Sequence, residues 1–386
     1  MNTNNKQFFK FVIGSQYFLY FGVLGIFLPY FNLYCFDLGF SGFQIGILSA
    51  LRSVALVLFP LMWGALADRW NKRRPIYILC TIISTTIWVF YLYTIEFWPM
   101  LLITIFYGMF YSPIISFLEA FTMDILGKEK KSYGRIRAWG SISFITIVLA
   151  LGKVIDLYSI DVILVLILCG SILLAIGSVR IPAINPTKKD RTSPGARSLL
   201  TRPVCVFLFC AFLMLVSHGA YYGFFSIHLA SLGYDGTFIG ICWALASTAE
   251  ILVMIRSEKL FSRFSLENVL TFSFGVAAVR WLILFFATSP FVILCSQILH
   301  AVTYGTFHMA SILFIDRLAP QQSKTMGQVV NNAVTYGLGL MVGFFLNGYL
   351  YEIMGSFALF SISSLIAVAG GLIFKGLQMS HKDRSQ

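Results

Sequence analysis

The 386 residues are 58% hydrophobic and 11% charged and carry a formal net charge of +12, with a mean hydropathy of +0.82. A chain this apolar is not a soluble globular domain, nor is it a membrane segment with a large soluble module attached; nearly all of it is expected to be embedded. The basic excess does not point to nucleic acid, because Lys and Arg are scattered among short loops with few aromatics between them, and anionic lipid is the expected partner.

A helix needs about 20 apolar residues to cross a ~30 Å hydrocarbon core. In chain order the stretches that qualify lie near 8–36, 41–67, 75–95, 98–126, 137–156, 160–181, 203–231, 236–256, 265–287, 290–316, 324–351 and 355–376, twelve in all. Of the 28 Lys and Arg residues, 25 fall in alternate gaps between them, starting with Lys6 and Lys10, then Arg69, Lys72, Arg73 and Arg74, then Lys128, Lys130, Lys131, Arg135 and Arg137. Positive residues stay on the cytoplasmic side, so both ends of a multi-pass inner-membrane protein are expected in the cytoplasm. The first stretch is far longer than the ~7–15-residue core of a signal peptide and lacks a small-residue cleavage site, so it is expected to be retained. All seven cysteines lie in or at the ends of apolar stretches, with no disulfide framework and no zinc spacing, and no metal is expected.

Residues 183–202 form the only long polar segment and divide the stretches six and six. The predicted organisation is an N-terminal six-helix bundle (1–182), a cytoplasmic loop (183–202) and a C-terminal six-helix bundle (203–386). The halves look duplicated. Leu38-Gly39-Phe40-Ser41-Gly42-Phe43-Gln44-Ile45-Gly46 matches Leu232-Gly233-Tyr234-Asp235-Gly236-Thr237-Phe238-Ile239-Gly240 after the first helix of each half, and Tyr107-Gly108-Met109-Phe110 is echoed by Tyr304-Gly305-Thr306-Phe307. Two similar bundles facing each other across a midplane cavity can rock about it, which is the geometry of a carrier with alternating access.

Ionisable residues within the stretches mark where such a cavity would be. Arg52 is about 11 residues into the second stretch, ~16 Å from its outer end, too deep to reach either surface easily. It either faces water and an anionic solute or pairs with helix carbonyls or an acid. Arg280 in the ninth stretch is ~11 Å from an end and could snorkel instead. Glu250 in the eighth stretch and His300 and His308 in the tenth are candidate proton carriers, because a part-buried Glu or His changes its proton affinity as a cavity opens and closes. Glu119 in the fourth stretch is the N-terminal candidate, while Asp124 is expected to pair with Lys128 or Arg137 at the rim. Asn331 and Asn332 could read a hydroxyl or carboxylate or could simply hold helices together. The many aromatic residues are weak evidence for an aromatic solute, since most rings face lipid or pack helices.

The segment Gly64-Ala65-Leu66-Ala67-Asp68-Arg69-Trp70-Asn71-Lys72-Arg73-Arg74 resembles the loop signature of the major facilitator superfamily. Tyr133-Gly134-Arg135-Ile136-Arg137-Ala138-Trp139-Gly140-Ser141-Ile142-Ser143-Phe144, with Phe307-His308, Met326-Gly327-Gln328, Tyr336-Gly337-Leu338-Gly339 and Gly343, is similar to the phenylpropionate permease family, relatives of lactose permease. Ser143 stands where a glycine is expected. The resemblance implies an all-α membrane protein of twelve transmembrane helices in two pseudo-symmetric six-helix bundles, the major facilitator fold. It implies a gate at Gly64, Asp68, Arg69 and Arg73, with Gly64 admitting a neighbouring helix and Asp68 latching onto a helix N-terminus or an arginine. Because the first and seventh helices line the cavity in this superfamily, it also draws attention to Tyr17, Tyr20, Phe21, Tyr221 and Tyr222.

The functional expectation is a secondary active transporter, a proton symporter importing a small organic solute, with an aromatic monocarboxylate ahead of a sugar or nucleoside. Arg52 or Arg280 would hold the anionic group, and Glu119, Glu250, His300 or His308 the proton. The proton gradient is the energy source and no cofactor is implied; a monomer is expected. A drug-type antiporter on the same fold is disfavoured because residues 137–156 contain no proline. A membrane enzyme is disfavoured by the absence of metal spacing, paired catalytic acids or a nucleophile elbow. A transporter-like sensor would need a signalling domain, for which loops of about 20 residues leave no room.

Overall fold

The computed structural model describes residues 3–127, 129, 132–182, 199 and 201–382. Most of the expected central loop, together with Lys128, Lys130 and Lys131, lies outside them. Hydrocarbon offers backbone groups no partner, so each long apolar run closes its hydrogen bonds within itself as a helix, and the described residues contain no strand. The helices are α1 (Thr3–Asp37), α2 (Gly42–Trp70), α3 (Arg73–Val89), α4 (Phe97–Tyr111), α5 (Pro113–Leu126), α6 (Tyr133–Leu157), α7 (Val162–Ser178), α8 (Arg202–Ser231), α9 (Gly236–Ile255), α10 (Ser257–Arg263), α11 (Leu266–Phe286), α12 (Pro290–Ile298), α13 (Phe307–Leu318), α14 (Lys324–Asn332) and α15 (Leu340–Lys382).

These elements accommodate the twelve expected stretches. Among the described residues ten helical segments are long and apolar enough to cross a bilayer, α7 is a shorter apolar helix of 17 residues, and Gly355, at φ 72° and ψ 178°, divides α15 in two. Only glycine adopts that backbone conformation readily. The fourth stretch breaks into α4 and α5 at Pro113, which has no N–H to continue the ladder. The tenth and eleventh stretches each contain a π-helical turn, Ala301–Thr306 between α12 and α13 and Ala333–Gly339 between α14 and α15.

Two compact units emerge. One comprises Met1–Phe40, Val54–Lys189 and Asp235–Ile241; the other comprises Ser41–Ser53, Asp190–Tyr234 and Cys242–Gln386. In the first, α1 packs against α5, α6 and α7, with polar contacts inside: Tyr77 donates to Gln16 at 2.7 Å, Thr81 and Ser178 are 3.0 Å apart, and Trp88 donates to the Leu164 carbonyl at 2.9 Å. Large apolar side chains such as Leu56, Leu58, Leu61 and Trp98 are exposed, the arrangement expected where the surroundings are lipid. Ser143 is accommodated by Gly22, where a Cβ would come within 2.8 Å of its Oγ.

In the second unit α8 packs along α15, and α11 packs against α12, α13 and α15. A Cβ on Gly219 of α8 would lie 2.5 Å from the Gly343 carbonyl carbon, so the approach of these helices depends on glycine.

The duplicated sequence is matched by duplicated geometry. Gly39 and Gly233 both have φ 84°, and each turn closes through the same long backbone bond, Phe40 N–H to Cys35 O at 3.0 Å and Tyr234 N–H to Leu229 O at 3.1 Å. The helices that follow are capped alike. Ser41 and Gln44 exchange bonds at the start of α2, and Asp235 accepts from Phe238 N–H at the start of α9. A second carboxylate arrives from the same unit in each case. Glu352 accepts from Gly42 N–H, and Asp156 accepts from Gly236 and Thr237 N–H at 2.6 and 2.9 Å.

Candidate functional site

Three of the expected ionisable residues meet in the second unit. Arg280 of α11 is fully buried and donates four hydrogen bonds: Nε to the Ser296 carbonyl at 3.0 Å, Nη1 to His300 Nδ1 at 3.0 Å and Thr303 Oγ1 at 3.3 Å, and Nη2 to Gln297 Oε1 at 3.2 Å. Its guanidinium lies 4.3 Å from the ring centre of Tyr221 and 4.7 Å from that of Trp281. Snorkelling is therefore not what this arginine does; the charge stays inside, dispersed over carbonyl, amide and ring faces.

His300 turns its other nitrogen, Nε2, toward Glu250 Oε2 at 3.9 Å and Tyr222 Oη at 3.4 Å. Glu250 is half-buried. The ring of Tyr304 stacks on His300 at 5.2 Å, His308 stacks on Tyr304 at 6.1 Å, and His308 Nδ1 is hydrogen-bonded to Tyr336. Tyr304 and Tyr336 both sit in the π-helical turns, where one extra residue per turn shifts the faces that the flanking helices present. Tyr221, Tyr222 and Trp243 complete the aromatic wall.

The remaining predicted residues of this unit are dispersed. Arg52 is half-buried, with Nη2 donating to Ser49 Oγ at 3.0 Å. Asn331 is buried in contacts with Ser311 and Thr335, joining α14 to α13 and to the following π turn. Its neighbour Asn332 is exposed and does not join the cluster.

The first unit has a smaller grouping. Arg137 lies 3.8 Å from the ring centre of Phe21 and 5.5 Å from that of Tyr17. Glu119 is exposed and lies in the neighbourhood of Arg137 and Tyr133. Tyr17 is buried with its hydroxyl 3.2 Å from Thr122 Oγ1, and Tyr20 stacks on Tyr111 at 5.1 Å. Asp124, whose expected partner Lys128 lies outside the described residues, has a partner that the sequence did not suggest. It pairs with Arg73 at 3.4 Å, and Arg73 also holds Asp68 at 3.1 Å. The predicted gate residues Asp68 and Arg73 thus form one three-residue ion network. Arg69 is exposed, and a Cβ placed on Gly64 would have no described atom within 4 Å.

Sequence reasoning missed Arg137, Tyr133, Gln297, Trp243, Trp281 and Tyr304 as members of these groupings. For Tyr304 a signal existed, its place in the repeated Tyr-Gly pair.

A helical protein that buries an arginine, a histidine and a part-buried glutamate among apolar spans, with lipid-type residues outside, is built as a membrane transporter. The chain belongs to the MFS_1 like family, whose model matches residues 12–362. It is 30% identical to the probable 3-phenylpropionic acid transporter of Escherichia coli (strain K12) over 91% of this chain and 93% of that protein. It is also 24% identical to the maltose permease of Geobacillus stearothermophilus, over 97% of this chain and 96% of the other. Among solved structures, a mutant of the nucleoside transporter NupG superimposes with a TM-score of 0.88 at 19% identity, covering 95% of this chain and 99% of that one. That similarity gives the fold, major facilitator; the family and these relatives are transporters, not enzymes.

Proposed function

We propose that this transporter is a proton symporter importing a small organic solute, with an aromatic monocarboxylate as the first candidate. The observation that carries the reading is the Arg280–His300–Glu250 line, buried at Arg280 and His300 and half-buried at Glu250, walled by Tyr221, Tyr222, Trp243 and Tyr304. It pairs a carboxylate able to change charge with flat rings able to stack on a solute. The 30%-identical relative described as a phenylpropionic acid transporter supports the same solute class. Of the two membrane arginines Arg52 is the preferred carboxylate ligand, because it is half-buried whereas Arg280 is fully buried. Glu250 takes the coupled proton, with Glu119 as the counterpart in the first unit.

The carrier works by alternating access as a monomer in the inner membrane, both ends in the cytoplasm and basic loops against anionic lipid, with the proton gradient as its energy source and no cofactor. Uptake of 3-phenylpropionic acid into proteoliposomes, with and without an imposed proton gradient, tests it. Accumulation only with the gradient is expected; uptake indifferent to the gradient rejects symport.

A second reading, a neutral sugar or nucleoside, is favoured by the engaged donors of Arg280, which leave amides, hydroxyls and rings as the surrounding chemistry. A thermal-shift comparison of aromatic acids, sugars and nucleosides separates the two, since a ligand that binds the folded state raises its stability by mass action.

A further inference from the structure

A guanidinium carries five N–H donors and no acceptor. The 3.0 Å contact between Arg280 Nη1 and His300 Nδ1 is therefore a hydrogen bond only when Nδ1 bears no proton. The ring's proton is then on Nε2, the nitrogen turned toward Glu250 and Tyr222. Arg280 has little freedom to yield this position. Its other bonds run to Ser296, Gln297 and Thr303, and Tyr221 and Trp281 lie against the guanidinium.

We propose that Arg280 is a positioning residue that locks His300 in the neutral Nε2–H tautomer, making the histidine a fixed hydrogen-bond donor toward Glu250 or a solute oxygen and excluding it as carrier of the coupled proton. A second proton would have to enter at Nδ1, where it would meet an N–H of a buried cation head-on. The other groups facing the ring do not offer that proton a home. From α8 come His218, whose Nδ1 is bonded to the Met214 carbonyl at 2.8 Å, and the hydroxyls of Tyr221 and Tyr222. Tyr304 stacks from the same span, and Glu250 approaches from α9. Glu250 is thus the member of this cluster that changes charge. Only that last role rests on the symport reading; the tautomer lock does not.

The test uses the full protein, purified in detergent with ¹⁵N-labelled histidine. The His300 signal is assigned by its loss in His300→Gln, or by its shift in Tyr222→Phe if that variant does not fold. Between about pH 5 and about pH 8, the range in which histidine ordinarily titrates, one protonated nitrogen, Nε2, and one bare nitrogen, Nδ1, are expected throughout. A doubly protonated ring, or a proton on Nδ1, overturns the proposal. Arg280→Met removes the donor facing Nδ1 and should let the ring's single proton distribute between Nδ1 and Nε2, and Arg280→Lys, which restores a donor, should reinstate the lock; an Arg280→Met ring that keeps its proton on Nε2 alone also overturns it. Uptake that ignores the proton gradient would reject symport without touching these spectra, so the two failures are distinguishable.

Discussion

The two units handle arginine in opposite ways. In the first, Arg137 is half-buried, lies over Phe21 and Tyr17, and has an exposed carboxylate, Glu119, in its electrostatic neighbourhood. In the second, Arg280 is wholly buried among neutral acceptors, and a histidine stands between it and Glu250. The same residue type lies across ring faces near a carboxylate in one place and forms a rigid scaffold in the other. The deciding variable is how many of the guanidinium's donors the protein itself occupies.

Removing the scaffold should have the largest effect. Arg280→Ala leaves the buried acceptors of Ser296, Gln297 and His300 unpaired, at about 1–3 kcal/mol each, so a large drop in unfolding temperature and loss of uptake are expected in detergent and proteoliposome assays. Next come the carboxylates, where the contrast can be broken outright. Glu250→Gln should reduce gradient-driven accumulation to equilibration while leaving solute exchange intact, whereas Glu119→Gln should keep accumulation and weaken apparent affinity. If the two variants behave alike in paired uptake and exchange measurements, the distinction between the units is wrong. Arg137→Lys exchanges a planar cation over Phe21 for a compact one and should cost about 0.5–2 kcal/mol in unfolding measurements. The smallest effect is expected from Asn332→Ala, within about 0.5 kcal/mol of wild type, against a clear loss for Asn331→Ala.

That last pair shows where the sequence is legible and where it is not. Hydropathy located the spans, because a run of about 20 apolar residues has few other uses. The repeat located two turns that share a backbone conformation, because Gly39 and Gly233 are required by the same positive φ. Glu250, Arg280 and His300 stood out because an ionisable group among apolar residues has to be accommodated somewhere. Asn331 and Asn332 could not be separated, since in a membrane span both faces are mostly apolar and no polar stripe tells which amide turns inward. Arg137 was hidden by its company. It closes a run of loop cations, yet α6 begins at Tyr133, so it lies one turn inside a helix. The bond from Arg73 to Asp124 joins residues 51 apart, and only the packed unit brings them together.

The π-helical turns at Ala301–Thr306 and Ala333–Gly339 carry an implication of their own. Each accommodates one residue more than an α turn, and passing that surplus along the helix by a single position would swing the intervening side chain by about 100° around the axis. Tyr304 and Tyr336 could in this way be presented or withdrawn while almost every amide stays bonded. In hydrocarbon, where a melted helix has no water to turn to, such sliding offers motion without exposure.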